Sequence, residues 1–474
     1  MAAFDPKRTN GSSNFVFLVK GSATQLDGFR TSAQLVIMLQ PVSHATILRI
    51  AIPIMVSNVT EPMIGVVNTA VVGQLPGTHL IGGVAVGSLI FSFLFWGFGF
   101  LRLSTSGLSA QATGAENPRE VAAIFWRSLL IAVVVGLNLI ILSPLLKPLS
   151  ISLMGGSPEV QAAASTYFSY RIWAAPAALA NFTIMGWFIG QGRTTIALLT
   201  QLALNVTNMA LSALLVLNFD FNIAGVGMAV LIAEYTGVAI GLWFVFRRLR
   251  VLQQPFDRTF IFSITKLNDL LSANADMMIR TVCLLFAFAW FTSRSARNGD
   301  TAVAANMVLL HMFQVAAFLI DGLAYAAEAL VGQAIGAKDQ PRYRKAITLS
   351  TLWVMVFGAI AAVLIWLLAP TFIDHMTVNE DVRSFARDFI IWAAITPFLG
   401  AACFLYDGIF TGAMATREMR NMMIVSLVLY LVAWYVLEPH YGNHGLWAAL
   451  SAFFIARSVS FAAKLPAIER RAFG

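Results

Sequence analysis

Charged residues are scarce in this sequence. Only 11% of its 474 residues are Asp, Glu, Lys or Arg, whereas 58% are hydrophobic; a soluble domain carries about 25% charged residues. Such a chain cannot cover its surface with polar groups in water, so its composition indicates an integral membrane protein. The net charge of +8 is then a matter of topology. A nucleic-acid surface is not predicted, since no basic run is interleaved with stacking aromatics.

Groups that perform chemistry in enzymes are also few. The two cysteines, Cys283 and Cys403, both lie in apolar stretches, where a thiol serves as a small buried hydrophobe and a disulfide is not expected. The six histidines form no metal-ligand pattern, and no Gly-x-x-x-x-Gly-Lys sequence is present to hold nucleotide phosphates. We therefore predict that the protein is not an enzyme, uses no metal or organic cofactor and is not driven by ATP.

Long apolar runs are what the sequence has instead. A helix needs about 20 apolar residues to cross a bilayer, and twelve stretches are long enough. They cover residues 47–72, 80–102, 122–146, 163–190, 194–217, 223–246, 267–292, 302–330, 347–370, 384–412, 421–437 and 443–463. The predicted fold is all-α, with twelve transmembrane helices.

One motif occurs twice in the chain, 222 residues apart. Gln111-Ala-Thr-Gly-Ala115 recurs as Gln333-Ala-Ile-Gly-Ala337, each copy ending a long apolar stretch. Six crossings return a chain to its starting side, so the two halves have the same orientation. The repeat predicts two six-helix bundles related by a pseudo-two-fold axis along the membrane normal, with a substrate path between them and helices 1, 2, 7 and 8 where they meet.

The predicted domain boundaries follow from this repeat. The N-lobe covers residues 45–246, a basic cytoplasmic linker covers 247–266, and the C-lobe covers 267–465. Residues 1–44 are polar and lack the apolar core of a signal peptide, so we expect a disordered tail. Residues 466–474 are expected to form a C-terminal tail.

Lys and Arg are distributed unequally between the two sets of loops. With the N-terminus inside, 23 of the 31 lie on the inner side and 5 on the outer side. The positive-inside rule then predicts that both termini are cytoplasmic.

Nine ionisable residues within the predicted helices are singled out as candidates. A charge at the membrane centre costs at least about 2.5–3.5 kcal/mol, so each is a functional candidate or part of a structural pair. They are Glu61, Arg171, Glu234, Asp276, Arg280, Asp321, Glu328, Asp407 and Arg457.

Helical spacing sorts part of this set. Asp276 and Arg280 are four residues apart on the seventh helix, which predicts a local ion pair. Asp321 and Glu328 are seven apart on one face of the eighth helix. Two like charges on one stripe repel unless one is protonated, so this pair predicts either proton handling or a structural hydrogen-bonding role.

The remaining charged residues have no partner nearby in the sequence. Glu61 lies beside a proline and either faces inward or contacts backbone freed by the proline kink. Glu234 and Arg171 are candidates for a pair across helices, and Arg457 either snorkels or pairs. Asp407 has no cation within four residues, which favours a cavity-facing position.

Seven short motifs carry a family resemblance through their order and spacing. They span residues 68–74 (Asn-Thr-Ala-Val-Val-Gly-Gln), 83–87, 101–107 (Leu-Arg-Leu-Ser-Thr-Ser-Gly), 111–114, 321–328 (Asp-Gly-Leu-Ala-Tyr-Ala-Ala-Glu), 332–336 and 418–421. From about residue 45 to 465 the chain resembles the multidrug and toxic compound extrusion (MATE) family, in its DinF-like branch.

The resemblance has consequences for function and location. It implies a central cleft that alternates between the two membrane faces, and export of small organic, often cationic, compounds in exchange for H+ or Na+. We expect a monomer in the inner (plasma) membrane of a bacterium, with the lipid bilayer and the transported compounds as its partners.

Two positions depart from the family pattern. The family usually has Asp where this chain has Asn68, and again near Ser212 after the asparagines that match Asn205 and Asn208; neither residue here can bind a proton. We therefore expect the coupling ion to use other acids, namely Asp321, Glu328, Asp276 and Asp407, with Glu61 and Glu234 as substitutes in the N-lobe. The residues expected to line the substrate cleft are Asn68, Asn205, Asn208, Ser212 and Arg280.

Three other functions fit a polytopic membrane protein. A flippase for lipid-linked precursors has a related architecture but should show more cationic residues around its cavity. A passive channel should show a pore-lining ring instead of scattered acids. An integral-membrane enzyme would need a cluster of catalytic or metal-binding groups, which the sequence does not suggest.

Overall fold

The computed structural model describes residues 41–75, 77–254 and 258–474. Every regular element in these ranges is helical. Most of the predicted N-terminal tail, residues 1–40, lies outside the described residues, as do residues 255–257 of the predicted linker.

The N-terminal half contains six long helices, named here α1 to α6. Two of them, α2 and α4, are interrupted by a turn. The bounds are α1 His44–Val72; α2 Thr78–Trp96 and Phe100–Gly114; α3 Pro118–Ile141; α4 Pro158–Arg171 and Ala175–Gly190, joined by the 3₁₀ turn Ile172–Ala174; α5 Thr194–Ala213, continued by the π turn Leu214–Asn218; and α6 Asn222–Leu252. A short helix, Ser143–Met154, separates α3 from α4.

The C-terminal half begins after the short linker helix Arg258–Ile261. Its first four long helices are α7 Ile264–Arg297, α8 Asp300–Gly336, α9 Gln340–Met376 and α10, which comprises Glu380–Asp388 and Ile390–Gly412. The last helical stretch, Thr416–Phe473, has 58 residues and is broken at Gly442, where φ is 54°. An unbroken helix of that length would extend about 87 Å, roughly twice a bilayer's thickness.

The break at Gly442 therefore separates two spans, α11 (416–441) and α12 (443–473). Together with the other ten long apolar helices, they confirm the twelve predicted spans. The residues expected to form a C-terminal tail continue α12 as helix as far as Phe473.

Two central helices are longer than hydropathy predicts. The second and eighth spans were predicted to end at residues 102 and 330, but α2 and α8 continue to Gly114 and Gly336. The added segments are rich in Ser, Thr, Gly and Ala, and most of these side chains are buried. Because they pack against protein instead of lipid, high hydropathy is not required of them.

The duplicated motif produces the same local structure in both halves. Glu116 and Lys338, the residues after Gln-Ala-x-Gly-Ala, both have left-handed backbone, with φ of 51° and 55°. The next residues, Asn117 and Asp339, cap α3 and α9 by accepting a hydrogen bond from the backbone N–H three residues on. The repeat therefore fixes equivalent turns after α2 and α8.

The two halves meet along α2 and α8. The second segment of α2 packs against α7, α8 and α10, and α8 packs against α1, α2 and α4. Helices α1 and α7 thus each cross onto the central helix of the other lobe, as an axis running between α2 and α8 requires. Charged residues on α2 and α8 consequently lie where the lobes join.

Candidate substrate and ion-coupling site

One face of α8 presents two carboxylates to the lobe interface. Asp321, Tyr325 and Glu328 are spaced i, i+4 and i+7, which aligns them along the helix. They lie about 22, 16 and 12 Å from the helix end at Gly336. Asp321 is about 31 Å from the other end at Asp300, so it lies close to the middle of α8.

These two carboxylates have few polar contacts. Glu328 is 0% exposed, and neither of its oxygens has a hydrogen-bond partner among the described residues. Asp321 is partly exposed and forms no ion pair within the described part of the chain. Neither carboxylate is therefore fixed by a structural ion pair among the described residues.

Arg102 of α2 reaches this face from the other lobe. Its guanidinium carbon lies 4.2 Å above the centre of the Tyr325 ring, and the charge of Arg102 acts on both Asp321 and Glu328. The turn at 97–99 starts the second segment of α2, and Arg102 lies in its first turn. The backbone of Arg102 packs directly on Gly186 of α4. This contact fixes the position of Arg102 relative to α4.

Asp407 of α10 is held by two arginines from other helices. Arg457 of α12 donates from Nη2 to Oδ2 at 2.6 Å, and Arg280 of α7 donates from Nη2 to the same oxygen. Arg457 is 0% exposed and Asp407 is 9% exposed. Arg457 therefore pairs and does not snorkel, and Asp407 is the centre of a buried ion triad.

The predicted local pair of Asp276 and Arg280 is wrong. Asp276 accepts from Arg420 Nη1 at 2.6 Å and from Thr416 Oγ1 at 3.0 Å, both on α11, while Arg280 turns to Asp407. Long guanidinium side chains reach across to neighbouring helices, so spacing along one helix does not choose their partner. Asp276 also borders a cavity of about 300 Å³ between α3, α7 and the start of α11.

The predicted cleft residues that the structure describes in the N-lobe are polar but uncharged. Asn68, Asn205, Asn208 and Ser212 are all buried. Asn205 donates to Thr60 Oγ1 at 2.7 Å, whereas the side-chain oxygens of Asn68, Asn208 and Ser212 have no partner among the described residues. The structure thus brings the predicted cleft residues of α1 and α5 together as amides and hydroxyls.

Glu61 and Glu234 are the two acids expected to take over the coupling role in the N-lobe. The side chain of Glu61 lies outside the described residues. Glu234 Oε2 accepts from Asn181 Nδ2 at 2.8 Å, and Arg171, its predicted partner, donates from Nη1 to the Tyr167 hydroxyl at 2.6 Å. Glu234 is thus in contact with an α4 amide.

Each copy of the repeated motif binds the opposite lobe at one end of the bundle. Gln111 Nε2 donates to the Gly412 carbonyl at 2.9 Å, and Gln333 Nε2 donates to the Gly190 carbonyl at 3.1 Å. Both bonds join the two lobes, and adding 222 to the residue numbers of one gives those of its counterpart. We call this pair of contacts the clasp.

Close backbone approach completes the clasp. A Cβ at Gly114 would overlap the Gln333 carbonyl oxygen, and a Cβ at Gly336 would overlap the Gln111 carbonyl oxygen. Only glycine fits at these two positions. The clasp closes the space between the lobes at this end.

Three site residues were missed by sequence reasoning. Arg102 stands at the predicted end of the second span, Arg420 stands just before the eleventh, and Tyr325 carries no charge, so hydropathy and charge do not indicate these three as site residues. For Arg102 a signal was present, because it lies inside the motif at 101–107 that contributed to the family resemblance.

The family model MatE matches the chain twice, at residues 53–214 and 276–436, so the two matches are offset by 222 to 223 residues. The chain belongs to the MATE family. The offset of the duplicated match agrees with that of the repeated motif that forms the clasp, and the two matches cover α1 to α5 and most of α7 to α11.

Relatives extend this MATE assignment over most of the chain. The DNA damage-inducible protein F of Escherichia coli (strain K12) is 35% identical over 426 residues, covering 89% of this chain and 92% of the relative. A probable multidrug resistance protein NorM of Halalkalibacterium halodurans is 21% identical and covers 89% and 94%. The fold matches an outward-facing multidrug resistance MATE family transporter with a TM-score of 0.83, at 18% identity, over 92% of this chain and 98% of that one.

Proposed function

We propose that this MATE-family chain exports small organic compounds, cations among them, across a bacterial inner membrane in exchange for protons. The names of its relatives, which include multidrug resistance proteins, support the substrate class and the direction of transport. The observation that carries the coupling proposal is the pair of carboxylates on α8 that faces the lobe interface without hydrogen-bond partners.

The other two candidate coupling acids of the C-lobe are each bound by arginine. Asp276 is bound by Arg420 and Thr416, and Asp407 is bound by two guanidiniums. A carboxylate with a fixed cationic partner in a buried site stays ionised and does not exchange ions readily. Asp321 and Glu328 are therefore the coupling residues, with Asp321 as the primary one because it remains partly exposed.

A proton suits this site better than Na+. A hard metal cation takes several oxygen ligands, but the charges of described residues that act on Asp321 are three arginines, Arg102, Arg280 and Arg457, and one carboxylate, Asp407. A proton needs a single oxygen and no coordination shell. An organic cation can use the same carboxylate while its apolar part contacts aromatic residues.

The clasp indicates from which side of the membrane the coupling site is accessible in this state. By the predicted topology, the turns after α2 and α8 lie in the cytoplasm, so the clasp closes the cytoplasmic side and Asp321 faces outward. Protonation of Asp321 from outside releases the bound cation, and the neutral site then permits the lobes to rearrange.

Transport by reconstituted protein tests this proposal. In proteoliposomes, an imposed pH gradient should drive ethidium transport by the wild type and not by Asp321→Asn, because the amide keeps the shape and loses the titration. Asp300→Asn is the matched control, since Asp300 is an exposed carboxylate at the start of the same helix. Full pH-driven transport by Asp321→Asn, or transport driven by a Na+ gradient alone, would contradict the assignment.

A lipid-linked precursor flippase is the second candidate, favoured by one observation. Three arginines from different helices, Arg102, Arg280 and Arg457, all act on the carboxylate of Asp321. Each lies near a carboxylate, so the region has no excess positive charge for a pyrophosphate group, and we retain organic-compound export as the function. If the protein moved a fluorescent lipid pyrophosphate between leaflets and did not transport ethidium, the flippase function would replace organic-compound export.

A further inference from the structure

Arg102 carries a positive charge from one lobe to the carboxylates of the other. It lies on α2 in the N-lobe, whereas Asp321, Tyr325 and Glu328 lie on α8 in the C-lobe. With its guanidinium 4.2 Å above the Tyr325 ring, Arg102 stands between two carboxylates that are placed about one turn to either side.

The pairing of Arg102 is incomplete in this state. Its Nη1 is buried without a hydrogen-bond partner in the described ranges, and so are both oxygens of Glu328. The cation therefore rests on an aromatic ring, within electrostatic reach of two acids and hydrogen-bonded to neither. A buried donor and buried acceptors left open on facing helices are a contact that can form or break.

Arg102 is the charged group common to both carboxylates. The other charges that act on Asp321 are Asp407 of α10, Arg280 of α7 and Arg457 of α12, and those three are bound to one another. On Glu328, the second polar influence is the hydroxyl of Ser106, one turn along α2 from Arg102. Among the described side chains of α1, those that meet α8 are apolar apart from the Asn58 amide.

We propose that Arg102 is a resident counter-ion of the lobe interface, which neutralises Asp321 and Glu328 when neither a proton nor a substrate cation is bound. This inference rests on the proposed coupling role of those two acids. Arg102 acts as a positioning residue, because it works through the carboxylates. Its attraction holds the two lobes together while the site is empty and ionised, and binding of a proton or substrate removes that attraction.

The proposal has a direct consequence for binding. A resident cation competes with any other cation for the same carboxylates. Removing it should strengthen the binding of both substrate and protons, whereas loss of an ordinary structural residue should weaken binding or leave it unchanged.

Ethidium binding to purified protein, followed by fluorescence anisotropy across a pH series, tests this. Ethidium carries a permanent charge, so any pH dependence belongs to the protein. We expect Arg102→Gln to bind ethidium about tenfold more tightly at high pH and to release it at a pH about one unit higher, from the loss of one nearby charge. Arg102→Lys should behave like the wild type, and Arg470→Gln, an exposed arginine near the end of α12, is the matched control.

A double substitution keeps the test decisive if Arg102→Gln does not fold. Arg102→Gln combined with Glu328→Gln removes one charge of each sign and should restore folding, with a release pH close to that of the wild type; a release pH that stays a full unit away would overturn the proposal. If Arg102→Gln folds, an ethidium affinity within about twofold of the wild type and a release pH within about 0.3 unit of it, which is the scatter expected for a neutral surface change, would also overturn the proposal. The same holds if Arg102→Lys behaves like Arg102→Gln.

The same assay separates this inference from the proposed function. If Asp321→Asn loses the pH dependence of ethidium release but Arg102→Gln changes nothing, only the counter-ion role fails. If Asp321→Asn keeps the full pH dependence, the coupling assignment itself fails.

Discussion

Replacing Gly336 by alanine should open the clasp. A methyl group at this position overlaps the backbone carbonyl oxygen of Gln111, and a backbone atom cannot turn aside as the end of a flexible side chain can. The lobes must separate slightly or the backbone must shift. The clash exists only while the two lobes are closed at this end.

The size of the effect follows from that restriction. Inserting a methyl group into close packing costs about 1–3 kcal/mol, and here the cost falls on the clasped state alone. An energy difference of about 1–3 kcal/mol between two states changes their ratio about 5- to 150-fold. Strain at this position also weakens the Gln111 to Gly412 hydrogen bond, worth about 1 kcal/mol.

Distances between spin labels measure this ratio. Cysteines for labelling are placed at Glu116 and Lys338, exposed residues in the equivalent turns after α2 and α8. Wild-type protein should give a short distance, and Gly336→Ala should add a longer one. Gly65→Ala is the control, because no heavy atom lies within 4 Å of a Cβ there. An unchanged distance distribution in Gly336→Ala would refute the reasoning.

Three further predictions follow from the site and the loops. Cysteines introduced at Arg297 and Arg344 should react with a membrane-impermeant maleimide from opposite faces of the membrane, and reaction of both from one face would contradict the predicted topology. Asp407→Asn should destabilise the protein by about 3–5 kcal/mol, since it leaves two buried guanidiniums without their carboxylate; a thermal unfolding midpoint equal to that of the wild type would argue against a structural triad. Asn68→Asp should leave pH-driven ethidium transport close to the wild-type rate, and loss of most transport would show that a charge in the N-lobe interferes.

The repeat and the twelve spans could be predicted because they depend on local patterns. Apolar run length reports a membrane crossing directly, and a motif repeated at a constant offset reports a duplicated bundle. The end of α2 could not be placed in the same way. Its last twelve residues are mostly small or polar, and they are held by contacts with the other lobe, so hydropathy ends the span at Arg102 although the helix continues to Gly114.

The ion-pair partners of the buried charged residues could not be predicted from local sequence spacing either. Asp276 and Arg280 have the spacing of an ion pair, yet each is bound by a residue of a different helix. Which arginine reaches which carboxylate depends on how α7, α10, α11 and α12 are arranged, and that arrangement is a property of the assembled lobe. The face shared by Asp321 and Glu328, by contrast, depends on helical geometry alone.

The charges at the lobe interface decide how the membrane potential acts on the protein. Arg102, Arg280 and Arg457 balance Asp321, Glu328 and Asp407 when all are ionised, and one positive charge remains when Asp321 holds a proton. The buried amides and hydroxyls around Asn68 and Asn205 add no charge. The proton-loaded interface would then feel the voltage, at up to about 2.3 kcal/mol per 100 mV for a charge crossing the whole membrane. Under the proposed cycle, an imposed potassium diffusion potential should therefore change the rate of the proton-loaded step and leave the empty, ionised step unaffected.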